Sequence, residues 1–349
     1  MAELLLTTHP GLEAFALAEV RELARASGHE VEGVLQPEAH MGRVLISSEL
    51  SEPALEAIVR EARSLHHVIR LVAHLEVPKG RVLETLCEAA KSWSLPELAT
   101  ESWCVRCLRV GEHEVGSEAI EREVGAVLFR RVSAPVRLKT WDACIRIELR
   151  GERAQIGLQR TRPALSHRWY PRPYQQRTAL KANVAYAALT HLPAAPQTLL
   201  DPFCGSGTLL LEAAAMHPNT QIYGSDRRTI AANGCAENLD AFGFEIRSTV
   251  RQGDAMSLAD VWPALQVDAI ITNPPYGVRM GAALDFRRFY RELLSSFQRV
   301  LHPKGTAILF AVQERALEEA AAALGWSMDI CFRADTRSVR PAIARLNFF

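Results

Sequence analysis

The sequence has 349 residues, 48% of them hydrophobic, and its formal net charge at pH 7 is zero. A chain of this size can bury a sizeable core and is expected to form two or three domains. The neutral total gives no sign of a polyanionic partner, and no apolar run is long enough to span a membrane.

The N-terminal half is predicted to be α+β. Residues 4–49 are expected to form a strand, a helix and a return strand at Gly42–Ser47, and a second block covers residues 70–160. Ser117, followed by Glu121, is a suitable helix start, with apolar residues at helical spacing behind it. The elements predicted for the second block are helices at Val82–Ser92 and Ser117–Arg130 and strands at Trp103–Val110, Val136–Thr140, Cys144–Leu149 and Gln155–Leu158.

An isolated CxxC pair, Cys104 and Cys107, falls on one of these predicted strands. Residues three apart on a strand point to opposite faces of the sheet, which is unsuitable for binding one metal ion. No metal site is therefore expected.

Basic side chains are concentrated in the middle of the chain. Between Arg130 and Lys181 there are thirteen Lys or Arg side chains against three acidic ones. The first hundred residues have nine basic against fifteen acidic side chains. This asymmetry predicts a surface that faces nucleic acid, with an ordinary solvated surface as the alternative.

The end of this basic stretch is predicted to be a linker. Pro163, Pro171 and Pro173 should make it stiff and extended. Trp169 and Tyr170 lie among its basic residues, and stacking on RNA and packing at a domain interface remain equal alternatives for them. The residues expected to be exposed and to contact RNA are Arg130, Arg131, Arg168 and Arg172.

The C-terminal half alternates short apolar strands with helical stretches, which is typical of a parallel α/β sheet. The predicted strands are Thr198–Leu200, Gln221–Gly224, Thr249–Arg251, Ala269–Thr272, Thr306–Ala311, Met328–Phe332 and Ile343–Phe348. The predicted helices are Ala179–His191, Leu209–Met216, Thr229–Phe242, Phe286–Leu301 and Glu314–Leu324. The last two strands have no helix between them, so we expect them to pair antiparallel at the end of a seven-stranded, doubly wound, Rossmann-like sheet.

A glycine-rich turn follows the first of these strands. Gly205 and Gly207 lack Cβ atoms, so the backbone there can come close to a cofactor. Leu210 stands where a dinucleotide fingerprint has its third glycine, and no Gly-Lys-Ser/Thr follows, so neither a dinucleotide site nor a phosphate loop fits. The turn instead predicts binding of S-adenosylmethionine. The contacts expected here are Asp201, Phe203, Gly205, Ser206 and Gly207, with Asp201 accepting from the methionyl ammonium or from loop amides.

Further cofactor contacts are predicted at the next strand ends. Asp226 can bond both ribose hydroxyls, and Asp254 can bond the adenine amino group, while Ala255 leaves room for the ring. Each aspartate by itself also suits a helix cap or a turn. The methionine end of the cofactor is expected to contact Thr178, Ala179 and Leu180, at the start of the preceding helix.

The pentapeptide Asn-Pro-Pro-Tyr-Gly, which begins at Asn273, is predicted to be the catalytic centre. The lone pair of guanine N2 is delocalised into the ring, so this nitrogen is a poor nucleophile. The Asn273 side-chain oxygen and the Pro274 carbonyl could accept hydrogen bonds from the amino group, which would favour localisation of the lone pair on the nitrogen. Pro274 and Pro275 hold these acceptors rigid, and Tyr276 can stack on the extruded base. Asn273 is also expected to contact the cofactor. Arg279 could bind a phosphate or guanine O6, or be a plain surface residue.

These motifs resemble those of a known family. The C-terminal half resembles class I methyltransferases, with a motif pair similar to that of amino-group nucleic-acid methyltransferases. Val105–Gly125, Trp141-Asp142 and Ala154–Leu158 resemble the THUMP domain, an RNA-binding module. Thr8–Val20 is similar to the ferredoxin-like domain that precedes THUMP in such enzymes. The resemblance covers nearly the whole chain and implies a THUMP-containing guanine-N2 methyltransferase of tRNA or 23S rRNA.

The expected domains are a ferredoxin-like domain (1–65), a THUMP domain (66–162), a linker (163–178) and a class I methyltransferase domain (179–349). The expected reaction is transfer of a methyl group from S-adenosylmethionine to the exocyclic N2 of a guanosine in structured RNA. An adenine-N6 DNA methyltransferase or a protein glutamine methyltransferase could use the same loop, but the THUMP-like block argues against both. A non-catalytic RNA-binding protein is a further alternative, but the presence of the motif residues at all four cofactor and substrate positions argues against it.

The expected location is the cytoplasm. Seven cysteines without a regular framework are typical of a reducing compartment. The first residues, Met1–Leu6, lack the basic region and long apolar run of a signal peptide. We expect a protein that does not bind membranes and is a monomer.

Overall fold

The computed structural model of the protein describes residues 2–275, 285–335 and 339–348. The chain forms two compact units. The N-terminal unit comprises Met1–Thr8 and Ala16–Leu165, and the C-terminal unit comprises His9–Phe15 and Ser166–Phe349. In the described part of the chain, no helix is both long and apolar enough to cross a membrane.

The N-terminal unit contains one seven-stranded sheet in the order β2-β3-β1-β4-β7-β6-β5. Its strands are β1 (Ala2–Thr8), β2 (Glu32–Leu35), β3 (Arg43–Ser48), β4 (Leu65–Glu76), β5 (Trp103–Val110), β6 (Ala143–Arg150) and β7 (Arg153–Gln159). The helices in this part of the chain are α1 (Glu13–Ala26), α2 (Glu52–Arg60), α3 (Val82–Ala90) and α4 (Ser117–Phe129).

The long strand β4 joins the two halves of this sheet. It pairs antiparallel with β1 on one side and with β7 on the other. One hydrophobic core forms around β1, β3, α1 and α2, and a second forms around β5, β6, β7, α3 and α4. The predicted boundary between the ferredoxin-like and THUMP domains, after residue 65, therefore falls at the first residue of β4, which both halves of the sheet share. The two predicted domains lie within one compact unit.

The sequence prediction missed or misplaced some N-terminal elements. The strands β2 and β4 and the helix α2 were not predicted. The strand predicted at Val136–Thr140 is wrong, because only an isolated bridge between Val136 and Trp103 forms there. Residues 135–140 are exposed, with Leu138 62% exposed. The apolar alternation in this stretch therefore faces solvent instead of marking a buried strand face.

The N-terminal sheet is strongly rolled. Arg43 in β3 and Glu148 in β6 are separated in the sheet order by three strands, β1, β4 and β7. A flat sheet would place them about 19 Å apart. Their side chains nevertheless form a two-pronged ion pair, with Arg43 Nη2 2.8 Å from Glu148 Oε1 and Arg43 Nε 3.2 Å from Oε2. The roll of the sheet therefore lets these two side chains meet across the three strands between them.

The C-terminal unit contains the predicted doubly wound sheet, in the order β10-β9-β8-β11-β12-β14-β13. Its strands are β8 (Thr198–Asp201), β9 (Gln221–Asp226), β10 (Ser248–Gln252), β11 (Val267–Thr272), β12 (Leu301–Ala311), β13 (Trp326–Arg333) and β14 (Ala342–Phe348). The last two strands pair antiparallel as predicted, and β14 lies between β12 and β13. The helices are α5 (Ala182–Leu189), α6 (Thr208–Met216), α7 (Thr229–Ala241), α8 (Leu258–Val261), α9 (Phe286–Gln298) and α10 (Glu314–Ala323).

Helices cover both faces of this sheet. One core packs α5, α6 and α7 against it, and the other packs α8, α9 and α10 on the opposite face. Because β8 to β12 run parallel, their carboxyl ends meet at one edge. That edge carries the glycine-rich turn, Asp226, Asp254 and the Asn-Pro-Pro segment. Ligands bind at this edge in doubly wound folds.

The rolled sheet generates a prediction for the N-terminal unit. Burial alone would raise the pKa of Glu148, but Arg43 and Arg146 outweigh it and hold this pKa below its usual range. Arg43→Met would leave the buried carboxylate short of one partner and should lower the free energy of unfolding by about 2–3 kcal/mol at pH 7. A carboxyl group with a lowered pKa stabilises the fold at neutral pH and loses that contribution as the pH falls through the lowered pKa.

The difference between Arg43→Met and wild type should thus shrink in acid, measured by urea unfolding between pH 7 and pH 3. Arg81→Met is the matched control, because Arg81 pairs with Glu84 on the surface, with side chains 62% and 65% exposed. Equal losses for the two variants would contradict a structural role for the Arg43–Glu148 pair.

Candidate active site

The glycine-rich turn between β8 and α6, where cofactor contacts were predicted, has a left-handed backbone and is closely packed. Gly205 and Gly207 have φ angles of 55° and 78°, in the left-handed region that favours glycine. A Cβ atom on Gly207 would lie only 2.8 Å from the sulfur of Cys235. Both the backbone conformation and the close packing of α7 therefore require glycine at this position.

Asp201, the last residue of β8, is 2% exposed. Its Oδ1 accepts hydrogen bonds from the Thr272 hydroxyl at 2.7 Å and from the Phe203 amide at 3.0 Å. Burial raises the pKa of Asp201 to about 7, although the hydrogen bonds from Thr272 and Phe203 oppose the shift. The side chain thus shapes the turn itself and ties it to the end of β11.

Asp226, the last residue of β9, is bonded to the same turn. Its Oδ2 accepts from the amide of Gly205 at 3.1 Å, and its Oδ1 accepts from the amide of Arg228 at 2.9 Å. Asp226 is half-buried at the parallel strand ends. It acts as a turn residue and also stands where a ribose contact was predicted.

Asp254 and Ala255 follow β10. The Asp254 side chain accepts from the amide of Met256 at 3.0 Å and so caps a short 3₁₀ turn. Ala255 is buried and Asp254 is exposed. The capping alternative for Asp254 is therefore present in the structure, and the cap uses one carboxylate oxygen, Oδ1.

The Asn-Pro-Pro segment begins directly after β11. Asn273 is half-buried, Pro274 is buried and Pro275 is exposed. The hydrogen bond between Thr272 and Asp201 brings this segment beside the glycine-rich turn. Tyr276 and Arg279 lie outside the described residues, so their predicted roles stay predictions.

Cys204 lies within the glycine-rich turn but has no character of a nucleophile. It is 5% exposed and belongs to the core between the sheet and α6. A hydrogen bond with Cys235, together with burial, raises the pKa of its thiol well above the usual range. A covalent mechanism would need the thiolate of this cysteine to attack the nucleobase, and that thiolate is disfavoured at neutral pH.

Arg168 contradicts the expectation that it is exposed. Its side chain is 8% exposed and forms an ion pair with the fully buried Glu212 of α6, with Nε 2.8 Å from Oε1. The hydroxyl group of Tyr170 donates to the same carboxylate. Glu212 was missed by the sequence analysis, although it is the only charged residue of α6, a helix otherwise rich in Leu and Ala. A single charged residue in an otherwise apolar helix indicates that its side chain is buried and paired with an opposite charge.

Arg172 also faces the glycine-rich turn. Its Nη2 donates to the hydroxyls of Ser206 at 3.2 Å and Thr208 at 2.7 Å. Two residues later, the Tyr174 amide donates to the side chain of Asn238 at 2.9 Å. The segment 168–174 was predicted to be a linker open to RNA. Its side chains and backbone instead bond to the glycine-rich turn and to the helices α6 and α7 that follow it.

Thr178, Ala179 and Leu180 lie before the helix and not at its start. Helix α5 begins at Ala182, since Lys181 has an extended backbone and residues 176–179 form a turn. Leu180 packs against the core that contains α5 and α6. These three residues remain near the site only as the segment that leads into the helix.

Arg130 and Arg131 belong to the N-terminal unit. Arg130 is exposed at the end of α4. Arg131 donates to the carbonyl groups of Ala90 at 2.5 Å and Trp93 at 3.2 Å. Its guanidinium group thus caps the carboxyl end of α3. Of the two arginines, Arg131 therefore has a structural role, and Arg130 is the exposed one that suits an RNA contact.

Comparisons with known proteins place this chain in a family. A family profile for the RMKL-like methyltransferase domain matches residues 168–341, and one for the THUMP domain matches residues 81–159. The chain is 34% identical to a tRNA (guanine(6)-N2)-methyltransferase of Thermus thermophilus over 318 residues, which cover 90% of each protein. The chain belongs to the THUMP-domain RNA methyltransferases of the guanine-N2 type.

Other relatives agree with this family. A tRNA (guanine(6)-N2)-methyltransferase of Archaeoglobus fulgidus is 27% identical, covering 91% of this chain and 85% of that protein. The crystal structure of TrmN from Thermus thermophilus matches all of both chains, with a TM-score of 0.77 and 31% identity. Membership confirms the predicted enzyme class, the RNA substrate and the cofactor, S-adenosylmethionine.

The buried Asp201 generates a prediction about pH. A carboxyl group whose folded-state pKa is raised binds more protons in the folded protein than in the unfolded one. It therefore destabilises the fold as the pH rises from about 4 to about 7. Asp201→Asn keeps an oxygen that accepts from Thr272 and Phe203 but removes the charge. At pH 8 this variant should unfold with a free energy higher by on the order of 1–4 kcal/mol in the absence of cofactor.

The same substitution should weaken cofactor binding, because a neutral amide attracts the methionyl ammonium less than a carboxylate does. The measurements are thermal unfolding and calorimetric titration from pH 5.5 to pH 8.5. Asp268→Asn is the control: Asp268 accepts hydrogen bonds from Gln197 and Thr198 at the opposite end of β8. Failure of Asp201→Asn to stabilise at high pH would contradict the raised pKa.

Proposed function

We propose that the protein methylates the exocyclic N2 of a guanosine in tRNA, with position 6 as the favoured target. The observation that supports this proposal is the match to relatives named for guanine 6 along about nine-tenths of this chain. The substrate is tRNA in this proposal and not 23S rRNA, because the enzymes matched over that length are named for tRNA.

The cofactor contacts are proposed on the geometry of the parallel strand ends. Gly205 and Gly207 let the backbone approach the cofactor, Asp226 would bond the ribose and Asp254 the adenine amino group. The residues fit this cofactor, since a left-handed glycine turn and three aspartates at successive strand ends stand together. When bound, S-adenosylmethionine supplies a methyl group made electrophilic by its attachment to a sulfonium.

The proposed catalytic group is Asn273. Its side-chain oxygen and the Pro274 carbonyl would accept the two protons of the guanine amino group, so that the nitrogen lone pair points at the methyl group. Pro274 and Pro275 fix the backbone φ angles and hold both acceptors in place before the base arrives. No strong base is needed, because the proton can leave after the nitrogen has become cationic.

Asn273→Ala should strongly reduce turnover while leaving the affinities for cofactor and tRNA nearly unchanged. The acceptor acts mainly in the transition state, so its loss should cost on the order of 3 kcal/mol, or about a hundredfold in kcat. Asn273→Gln is the matched variant, since it keeps the amide and displaces it by one methylene. Single-turnover transfer of tritium from labelled cofactor to tRNA transcripts measures both.

The transcripts also decide the target. Wild-type enzyme should label tRNA with guanosine at position 6 and should lose the signal when inosine, which lacks the N2 amino group, replaces that guanosine. Replacement at position 10 should have no effect. Labelling of 23S rRNA in preference to tRNA would refute the substrate, and near-wild-type speed of Asn273→Ala would refute the catalytic role.

The RNA contact in the N-terminal unit is proposed to be a group of four side chains, the basic edge: Arg130, Arg137, Lys139 and Arg162. All four are exposed. Arg130, Arg137 and Lys139 lie in the connection between α4 and β6, and Arg162 follows β7. Since Cys144 of β6 pairs with Gln159 of β7, these segments reach the same end of the sheet.

Nearby acidic side chains offset only part of the charge of the basic edge. Asp142 lies among these residues, and its single negative charge, which hydrogen bonds from Ser102 stabilise, faces the positive charges of Arg137 and Arg162. Glu101 is paired with Arg160 at 2.6 Å. The guanidinium group of Arg162 lies 5.5 Å from the centre of the Trp141 ring, which adds an aromatic surface beside the cations. Phosphate and sugar contacts suit such an edge.

Arg137→Glu combined with Lys139→Glu should weaken tRNA binding at least tenfold near physiological salt and reduce the slope of log affinity against log salt by about one to two. Cofactor affinity should not change. Arg81→Glu with Lys91→Glu is the matched control, because it reverses two exposed charges at the two ends of α3 in the same unit. Filter binding across a salt series gives both slopes, and equal effects of the two double variants would contradict a localised contact.

A further inference from the structure

Thr272 is a buried polar residue beside the proposed catalytic asparagine. It is the last residue of β11 and directly precedes Asn273. Its side chain is fully buried, and its hydroxyl group donates to Asp201 Oδ1 at 2.7 Å. The bond joins two residues that are 71 positions apart in the sequence.

This hydrogen bond extends the pairing of two parallel strands beyond their backbone ladder. The paired residues of β8 and β11 are Leu199 with Ala269 and Leu200 with Ile270. The bond between Asp201 and Thr272 comes after the last of these pairs, at the point where both chains turn into their loops. Asp201 Oδ1 also accepts from the Phe203 amide, so one oxygen anchors the start of the glycine-rich turn and the start of the Asn-Pro-Pro segment.

We propose that Thr272 is a positioning residue, whose hydroxyl group fixes Asn273 relative to the glycine-rich turn through the carboxylate of Asp201. The inference rests on the proposed catalytic role of Asn273. A group one residue away from the acceptor controls where that acceptor lies. Misplacement of a reacting group by about 1 Å can cost a hundredfold in rate.

A purely structural role for the hydroxyl makes different predictions. Valine has nearly the shape of threonine, so a structural threonine can be replaced with a loss of stability alone. Here the hydroxyl also stabilises the charged form of Asp201: burial and the negative charge of Asp226 raise the pKa of that carboxyl, and the Thr272 hydroxyl and the Phe203 amide oppose the rise. Removing it should therefore change two properties besides stability: the pH dependence of cofactor binding and the turnover.

The experiment compares Thr272→Val with Thr272→Ser and with Thr306→Val in the full chain. Thr306 is a matched control, because it is a buried strand threonine that donates to Asn347 at 2.9 Å. It lies in the middle of β12, five residues before the carboxyl end of that strand. Calorimetric titration of S-adenosylmethionine from pH 5.5 to pH 8.5 gives the midpoint of binding, and steady-state assays on tRNA separate kcat from KM.

For Thr272→Val we expect the midpoint of cofactor binding to move up by about one pH unit and kcat to fall roughly tenfold, with KM for tRNA within twofold of wild type. Thr272→Ser keeps the donor and should restore both values. Thr306→Val should lower only the unfolding temperature. If Thr272→Val does not fold, Thr272→Cys, with a weak donor of similar size, takes its place.

A wild-type midpoint and wild-type kcat in the valine variant would overturn the inference, as would the same losses in Thr306→Val. Failure of the proposed function is distinguishable from this result. If the wild-type enzyme labels no guanosine N2 in tRNA, the proposed function fails, whereas the binding midpoint still decides whether Thr272 controls Asp201.

Discussion

The burial of one carboxyl group, that of Asp201, constrains the whole carboxyl edge of the parallel sheet. Moving this group out of water raises its pKa to about 7, so its charged form costs free energy in the folded protein. Two donors, the Thr272 hydroxyl and the Phe203 amide, offset part of this cost. Phe203 lies at the start of the glycine-rich turn and Thr272 directly precedes the Asn-Pro-Pro segment, so the turn and the segment share one anchor.

A second layer of contacts holds the glycine-rich turn from the other side. The buried ion pair between Arg168 and Glu212 fixes the segment that precedes α5 against α6, and Arg172 reaches the hydroxyls of Ser206 and Thr208. A turn that needs two left-handed glycines has few interactions of its own, since glycine has no side chain to pack. Its conformation depends on neighbours that the chain supplies from both directions.

The N-terminal unit uses a buried ion pair for a different purpose. Arg43 and Glu148 connect strands that three other strands separate, and the pair holds the roll of the sheet. The outer end of this sheet carries the basic edge, whose charges are suited to bind phosphate. In both units a buried arginine stabilises the fold by pairing with a buried glutamate, Arg43 with Glu148 and Arg168 with Glu212.

The sequence by itself determined the enzyme family, the doubly wound sheet and the order of the motifs, because strand periodicity and the residues from Asp201 to Gly207 and from Asn273 to Pro275 are local signals. Only the tertiary structure decided which charged residues are buried. Arg168 and Arg172 were expected to face RNA, and Thr272 and Glu212 carried no motif. Burial depends on partners 34 to 71 residues away in the sequence. A local pattern shows that a side chain is charged, but only the packed chain shows what lies opposite it.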